Sequence, residues 1–234
     1  MNKLICILLS LNTFFSFAQT EFNQVDEKGL KNGIWKGFFE ESKRLRYQGT
    51  FVHGKEIGTF NYYDDTKEAS LIGVRVFDIK ENSVYTTFYD QKKNIVSEGK
   101  SVNKLKEGNW KYYHEASKEL MTLEIYKFGK LEGLRTVYYK NGKIAEEINY
   151  KNGIKVGLYK KLTETGIVLE TVSYKNNEYN GLAVYKDPEN NIVTQGLFKN
   201  GKKIGIWKFY KSGKFESQTN FNFQGKKFTK NNKK

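Results

Sequence analysis

Few residues of this chain could do chemistry: two histidines, one cysteine and some adjacent acids. His53 and His114 stand in different segments, and neither has a second donor at metal-ligand spacing. Cys6, the single cysteine, sits in an apolar N-terminal run, so the rest of the chain has no thiol to act as nucleophile, ligand or disulfide. Asp64-Asp65 and Glu146-Glu147 are adjacent pairs. On a strand, neighbours point to opposite faces, so neither pair can flank one scissile bond. Asp187-Pro188-Glu189-Asn190-Asn191 has the chemistry of a turn and lacks the oxygen spacing of a calcium loop. No nucleophile elbow and no phosphate-cradling loop occur. The expectation is a protein that is not an enzyme, with no catalytic residue, no metal ligand set and no cofactor.

Rings beside lysines are the other candidates. Trp35, Trp110 and Trp207 are each followed by a lysine: Lys36, Lys111 and Lys208. Stacking rings next to cations hold single-stranded nucleic acids and sugars. The same recurrence is what a sheet needs for its own packing. These six residues are the expected partner-contact ladder, with an unknown protein as the partner. Nucleic acid is set aside because the chain reads as exported.

The elements that must position the rings are hairpins. Glu132 to Lys155 reads as an aromatic strand, an Asn141-Gly142 turn, a second strand ending in Tyr150, and an Asn152-Gly153 turn. Asn-Gly favours type I′ turns, which need φ > 0 at both central residues. A lone hairpin is marginal in water, so the unit must be stacked on copies of itself. Aligning on the glycine that opens each first strand gives Gly33, Gly58, Gly108, Gly133, Gly157, Gly181 and Gly205, spaced by 24 or 25 residues except for one step of 50. That step holds a degenerate copy opening at Ser83, so eight units fit. Two residues on stand Trp35, Phe60, Tyr85, Trp110, Arg135, Tyr159, Ala183 and Trp207. Five residues on stand Phe38, Tyr63, Phe88, Tyr113, Tyr138, Leu162, Lys186 and Tyr210. The second strands close near Phe51, Tyr126, Tyr150, Tyr174, Phe198 and Phe221.

Offsets of two and five have opposite parity, so either a bulge intervenes or both faces carry rings. The glycines permit φ > 0, or leave out a Cβ where a ring lies on backbone. The expected fold is all-β: one elongated, twisted antiparallel meander of tandem hairpins after an N-terminal signal helix. The expected division is a signal peptide at 1–18, a lead-in at 19–28, the array at 29–227 with a degenerate stretch around 65–101, and a basic tail at 228–234.

Met1-Asn2-Lys3, the apolar run Leu4 to Phe17 and the small residues of Ser16-Phe17-Ala18 match a secretory signal cleaved before Gln19. The run is shorter than a bilayer span. The expected location is therefore secreted or periplasmic, with no transmembrane span in the mature chain. Formal net charge is +14. A charge of that size suits an anionic envelope surface, polysaccharide or lipid, although lysines at turns and edges also serve to block sheet aggregation.

The strand Gly108-Asn109-Trp110-Lys111-Tyr112-Tyr113, its echo Gly205-Ile206-Trp207-Lys208-Phe209-Tyr210, and the turns Tyr139 to Lys143 and Tyr150 to Gly153 resemble the MORN-repeat variant family. The resemblance is to the bacterial branch labelled YwqK-like antitoxins, over roughly Gly29 to Lys227. It implies a meander of antiparallel hairpins and a protein-interaction or membrane-associated scaffold, or an antitoxin binding a toxin. It carries over no catalytic residue. Export sets this chain apart from an antitoxin for a cytosolic toxin.

Overall fold

The computed structural model describes residues 22–223. The leader, its cleavage point, Cys6 and the tail from 228 lie outside the described residues. Every described element is a strand except one 3-10 turn, Phe221–Phe223. A short β1 (Gln24–Val25) comes first. The first strands of the hairpins are β2 (Lys31–Phe38), β4 (Lys55–Tyr63), β6 (Ser83–Tyr89), β8 (Leu105–Tyr113), β10 with β11 (Lys130–Leu131 and Gly133–Tyr138), β13 (Ile154–Leu162), β15 (Glu178–Lys186) and β17 (Lys202–Lys211). The second strands are β3 (Leu45–Val52), β5 (Leu71–Asp78), β7 (Ile95–Val102), β9 (Leu120–Lys127), β12 (Ile144–Lys151), β14 (Val168–Lys175), β16 (Ile192–Lys199) and β18 (Lys214–Asn220). Each pairs antiparallel with the next in chain order, giving one open 18-stranded meander of eight hairpins.

Two kinds of turn alternate. Except between β5 and β6, the reversals between hairpins are two-residue loops with both residues at φ > 0, such as Asn152-Gly153 at 52° and 82° and His53-Gly54 at 47° and 77°. They follow the type I′ rule. Asn141-Gly142 corrects the expectation. Only Gly142 has φ > 0, at 79°. The loop runs from Tyr139 to Lys143, with Tyr139 N–H on the Lys143 carbonyl and Gly142 N–H on the Tyr139 carbonyl. The Asn141 Oδ1 accepts from Lys143 N–H instead of setting a left-handed residue. Elsewhere this longer turn is held by a side chain accepting from the backbone, as Asp90 does from Lys92 and Asn94.

The register glycines make bulges. Gln48 faces Asn61 and Thr50 faces Ile57, so Gly58-Thr59-Phe60 lie opposite Gly49 alone. Gly205-Ile206-Trp207 lie likewise opposite Gly196. The register glycines all take φ between 61° and 116°, which a side chain resists. Ser83 cannot follow. The β5–β6 ladder runs from Gly73↔Phe88 to Asp78↔Ser83 without interruption, and the surplus residues enter a four-residue loop, Ile79 to Asn82. The loop takes up as many residues as a two-residue turn and its bulge, so the parity slips earlier: the β4–β5 turn between Tyr63 and Leu71 is one residue longer than the β2–β3 turn between Phe38 and Leu45. Thr86 takes the ring position and is buried, while Tyr85 turns to the other face and is exposed. This slip is why the repeat blurs there.

Candidate interaction surface

The two faces of the sheet use their residues differently. On one face, a single row crosses the sheet through Trp35, Gly49, Phe60, Arg75, Thr86, Gly99 and Trp110, and resumes through Tyr159, Val172, Ala183, Gly196 and Trp207. Along it Phe60, Trp110 and Trp207 each lie on a glycine of the strand before. A Cβ on Gly196 would stand 2.3 Å from Trp207 Cδ2, one on Gly99 2.4 Å from Trp110 Cδ2, and one on Gly49 2.4 Å from the Phe60 ring. Rings from the second strands close the sides. Phe51 meets Phe60 edge-on at 5.2 Å, and Phe198 meets Trp207 at 5.0 Å. Tyr174 sits 6.0 Å from Tyr159. The array thus shares rings between neighbouring hairpins.

The polar ends of these rings are also occupied. Trp110 Nε1–H donates to the Lys100 carbonyl at 2.8 Å, Trp207 to Leu197 at 3.1 Å and Trp35 to Gln24 at 2.9 Å. The lysine two residues before the register glycine covers the ring from above: Lys31 over Trp35 at 4.4 Å, Lys106 over Trp110 at 4.3 Å and Lys203 over Trp207 at 4.1 Å. That position escaped sequence reading, because it is four residues from the ring and meets it only across the bulge. Trp207 is 0% and Trp110 5% exposed.

The expected ladder of Trp35, Trp110, Trp207, Lys36, Lys111 and Lys208 is therefore divided. Each lysine follows its tryptophan by one residue, and alternation sends it to the opposite face. Lys36 lies over the Phe22 ring, and Lys111 approaches Glu98 at 3.8 Å. Lys208 is exposed beside Gln195 and Gln218. The rings are packing, and the lysines belong to a different surface.

That surface has two parallel tracks. A polar lane passes through Glu98, Lys111, Leu123, Thr136, Glu147 and Lys160, directly opposed in sequence across β7 to β13. Lys160 meets Glu147 at 3.4 Å. Tyr113 Oη–H donates to Glu98 at 2.6 Å; burial, then this bond, pushes its phenol up. Beside the lane, Leu134, Leu158, Leu182, Leu197 and Ile206 form an exposed aliphatic stripe. The rim of two-residue turns differs again. There Lys127 opposes Lys130 and Lys199 opposes Lys202, while Lys211 opposes Lys214 at the β17–β18 turn on the other rim. Like charges directly across a ladder are destabilising.

The residues first weighed for catalysis hold structure. His53 Nδ1 meets Asp26 Oδ2 at 2.7 Å, and that bond is the main reason the Asp26 carboxyl lies below its ordinary range. His114 Nε2 lies 3.0 Å from the Tyr138 carbonyl. Glu146 and Glu147 face opposite sides, opposed to Lys161 and Lys160. Among the described residues no group of three or more His, Cys, Asp or Glu is placed to hold a metal ion, and no helix is long and apolar enough to cross a membrane.

Residues 131–152 match the family described as MORN repeat variant, which spans one hairpin and the start of its closing turn. No curated protein matches the chain. A protein of unknown function from Bacteroides fragilis is 9% identical over 81% of this chain and 92% of its own, with a TM-score of 0.11, too low to carry any argument.

Proposed function

We propose that this chain is an exported, non-enzymatic scaffold that binds a protein partner through the face opposite its rings. The observation that carries this reading is the contrast between the faces. One spends its tryptophans on glycine floors, carbonyls and lysine covers. The other leaves an aliphatic stripe open beside an ordered charge lane. Exposed apolar patches bordered by polar groups are the usual mark of an interaction surface. Export rests on the leader pattern of Met1 to Ala18. The test is capture from the cell envelope by the wild type and by Leu158→Lys/Leu182→Lys, whose changes lie at exposed positions. Capture should fall while the melting temperature stays. Equal capture by both proteins would refute the surface.

The basic rim favours a second reading, a binder of anionic envelope polysaccharide or lipid. Two Lys–Lys oppositions on this rim each cost about 0.2–1 kcal/mol in a sheet, a cost that an anionic ligand would reverse. Lys127→Gln/Lys130→Gln/Lys199→Gln/Lys202→Gln should raise thermal stability and weaken binding to anionic vesicles. Binding should also fall steeply near 0.5 M salt, where screening lengths are only about 4 Å. A toxin partner would remain bound at that salt.

A further inference from the structure

The charge lane is complementary to itself. Number the strands across the sheet from β2, with β10 and β11 together counting as one. The midpoint then falls between β9 and β11, which pair directly. Reversing the strand order about that midpoint carries Glu98 onto Lys160 and Lys111 onto Glu147. Val74 falls on Val184, and in the neighbouring track Val76 falls on Leu182 and Ile125 on Leu134. A two-fold axis lying along the strands performs this reversal while keeping each track level with itself. A right-handed saddle is also mapped onto itself by that rotation, so sheet twist does not force the two surfaces apart.

We propose that the partner of this face is a second copy of the chain, packed face to face as an isologous pair about that axis. The inference rests on the reading that the face opposite the rings is the binding surface. Each charged residue of the lane then meets its opposite from the other copy, over an in-sheet pair of the reverse order, and Lys100 of the neighbouring track meets Leu158. Val76 and Leu182, 46% and 57% exposed, become covered. At usual spacings the ten central strands give a footprint of about 48 Å by about 10 Å per copy. Counted over both copies this is close to the ~1,000 Å² that a specific interface needs.

The test uses paired reversals that leave each in-sheet pair intact. Glu98→Lys/Lys111→Glu keeps opposite charges side by side in one copy, yet sets like charges against the second. Glu147→Lys/Lys160→Glu does the same at the other couple. In analytical ultracentrifugation the wild type should sediment as a dimer. Each reversed variant should show a dimer dissociation constant raised by about tenfold to a hundredfold. Mixed in equal amounts, the two variants should form a heterodimer, because every facing pair is opposite again. Leu182→Lys, which leaves both couples alone, should also weaken the dimer. A monomeric wild type, dimers untouched by the reversals, or a mixture that stays monomeric would overturn the inference. A monomer that still captures an envelope protein through Leu158 and Leu182 would remove the self-pairing while keeping the binding surface.

Discussion

The Trp207 indole fills the space that a side chain on Gly196 would need, with Cδ2 2.3 Å from where that Cβ would stand. The ring and the missing methyl are one device, repeated at Trp110 on Gly99 and Phe60 on Gly49. Gly196→Ala should therefore cost about 1–3 kcal/mol or more through overpacking. Trp207→Ala should cost about 3–5 kcal/mol by opening a cavity. The double variant should lose clearly less than their sum, since each change relieves the other. Thermal melting of the four proteins checks this. Strict additivity would show that ring and glycine are independent.

A bulge glycine and a buried glycine with room for a Cβ should respond oppositely to the same methyl. At Gly58, φ is +61° and nothing lies within 4 Å of a built Cβ. The penalty for alanine there is conformational, about 1–2 kcal/mol. Gly73 is buried, but its φ is outside the left-handed region and a Cβ would meet Phe88 and Tyr62 only at 3.8 Å. Gly73→Ala should be neutral or stabilising by up to about 1 kcal/mol. Chemical denaturation of the two single variants distinguishes them.

This contrast marks what was legible in the sequence. The glycine ruler at Gly33, Gly58, Gly108, Gly133, Gly157, Gly181 and Gly205 exposed the eight hairpins and the antiparallel meander, because each bulge demands a residue that tolerates φ > 0. Phe51, Tyr174 and Phe198 stood out as closing rings because their spacing repeats. The faces stayed hidden. A residue's side depends on how many residues each turn and bulge takes up, and no single letter records that count. Tyr85 keeps the repeat's spacing yet points away from the rings, since the turn between Tyr63 and Leu71 is one residue longer than that between Phe38 and Leu45. Gly49, Gly99 and Gly196 carry a signal too, nine residues before a register glycine, and these are the glycines whose missing Cβ makes room for a ring.

Alkali should unfold the array earlier than neutral tyrosines would allow. Burial, chiefly, then neighbouring carboxylates or rings, raises the phenols of Tyr113, Tyr126, Tyr159 and Tyr179, and Tyr185 is pushed up to about 12. A raised folded pKa favours the protonated phenol. Its stabilisation is complete below the ordinary value near 10 and is lost as pH climbs through the range from about 10 to 12. Melting temperature should hold between pH 8 and 10 and drop above that. A flat profile to pH 12 would contradict the buried placement.

Acid acts at the other end through the turns. Asp64 and Asp90 lie below the ordinary carboxylate range, mainly through bonds from Thr66 and Asn94. A depressed folded pKa contributes stability above about 3.9 that disappears as pH falls through the lower folded value. Asp90→Asn, which keeps an acceptor without the charge, should flatten the acid limb of a melting curve taken from pH 5 to pH 2. An unchanged limb would remove Asp90 from the turn's energetics.

Adjacent residues on β15 test the division of the two faces most directly. Leu182 is 57% exposed and Ala183 is 0% exposed. Cysteines introduced at each position, in a Cys6→Ser chain carrying Glu98→Lys/Lys111→Glu to keep it apart from its copies, can be timed against a thiol reagent. Leu182→Cys should react at nearly the rate of a free thiol, while Ala183→Cys should stay protected until the array unfolds. Equal rates, or a faster reaction at 183, would place the rings on the outside and contradict the assignment of the binding face.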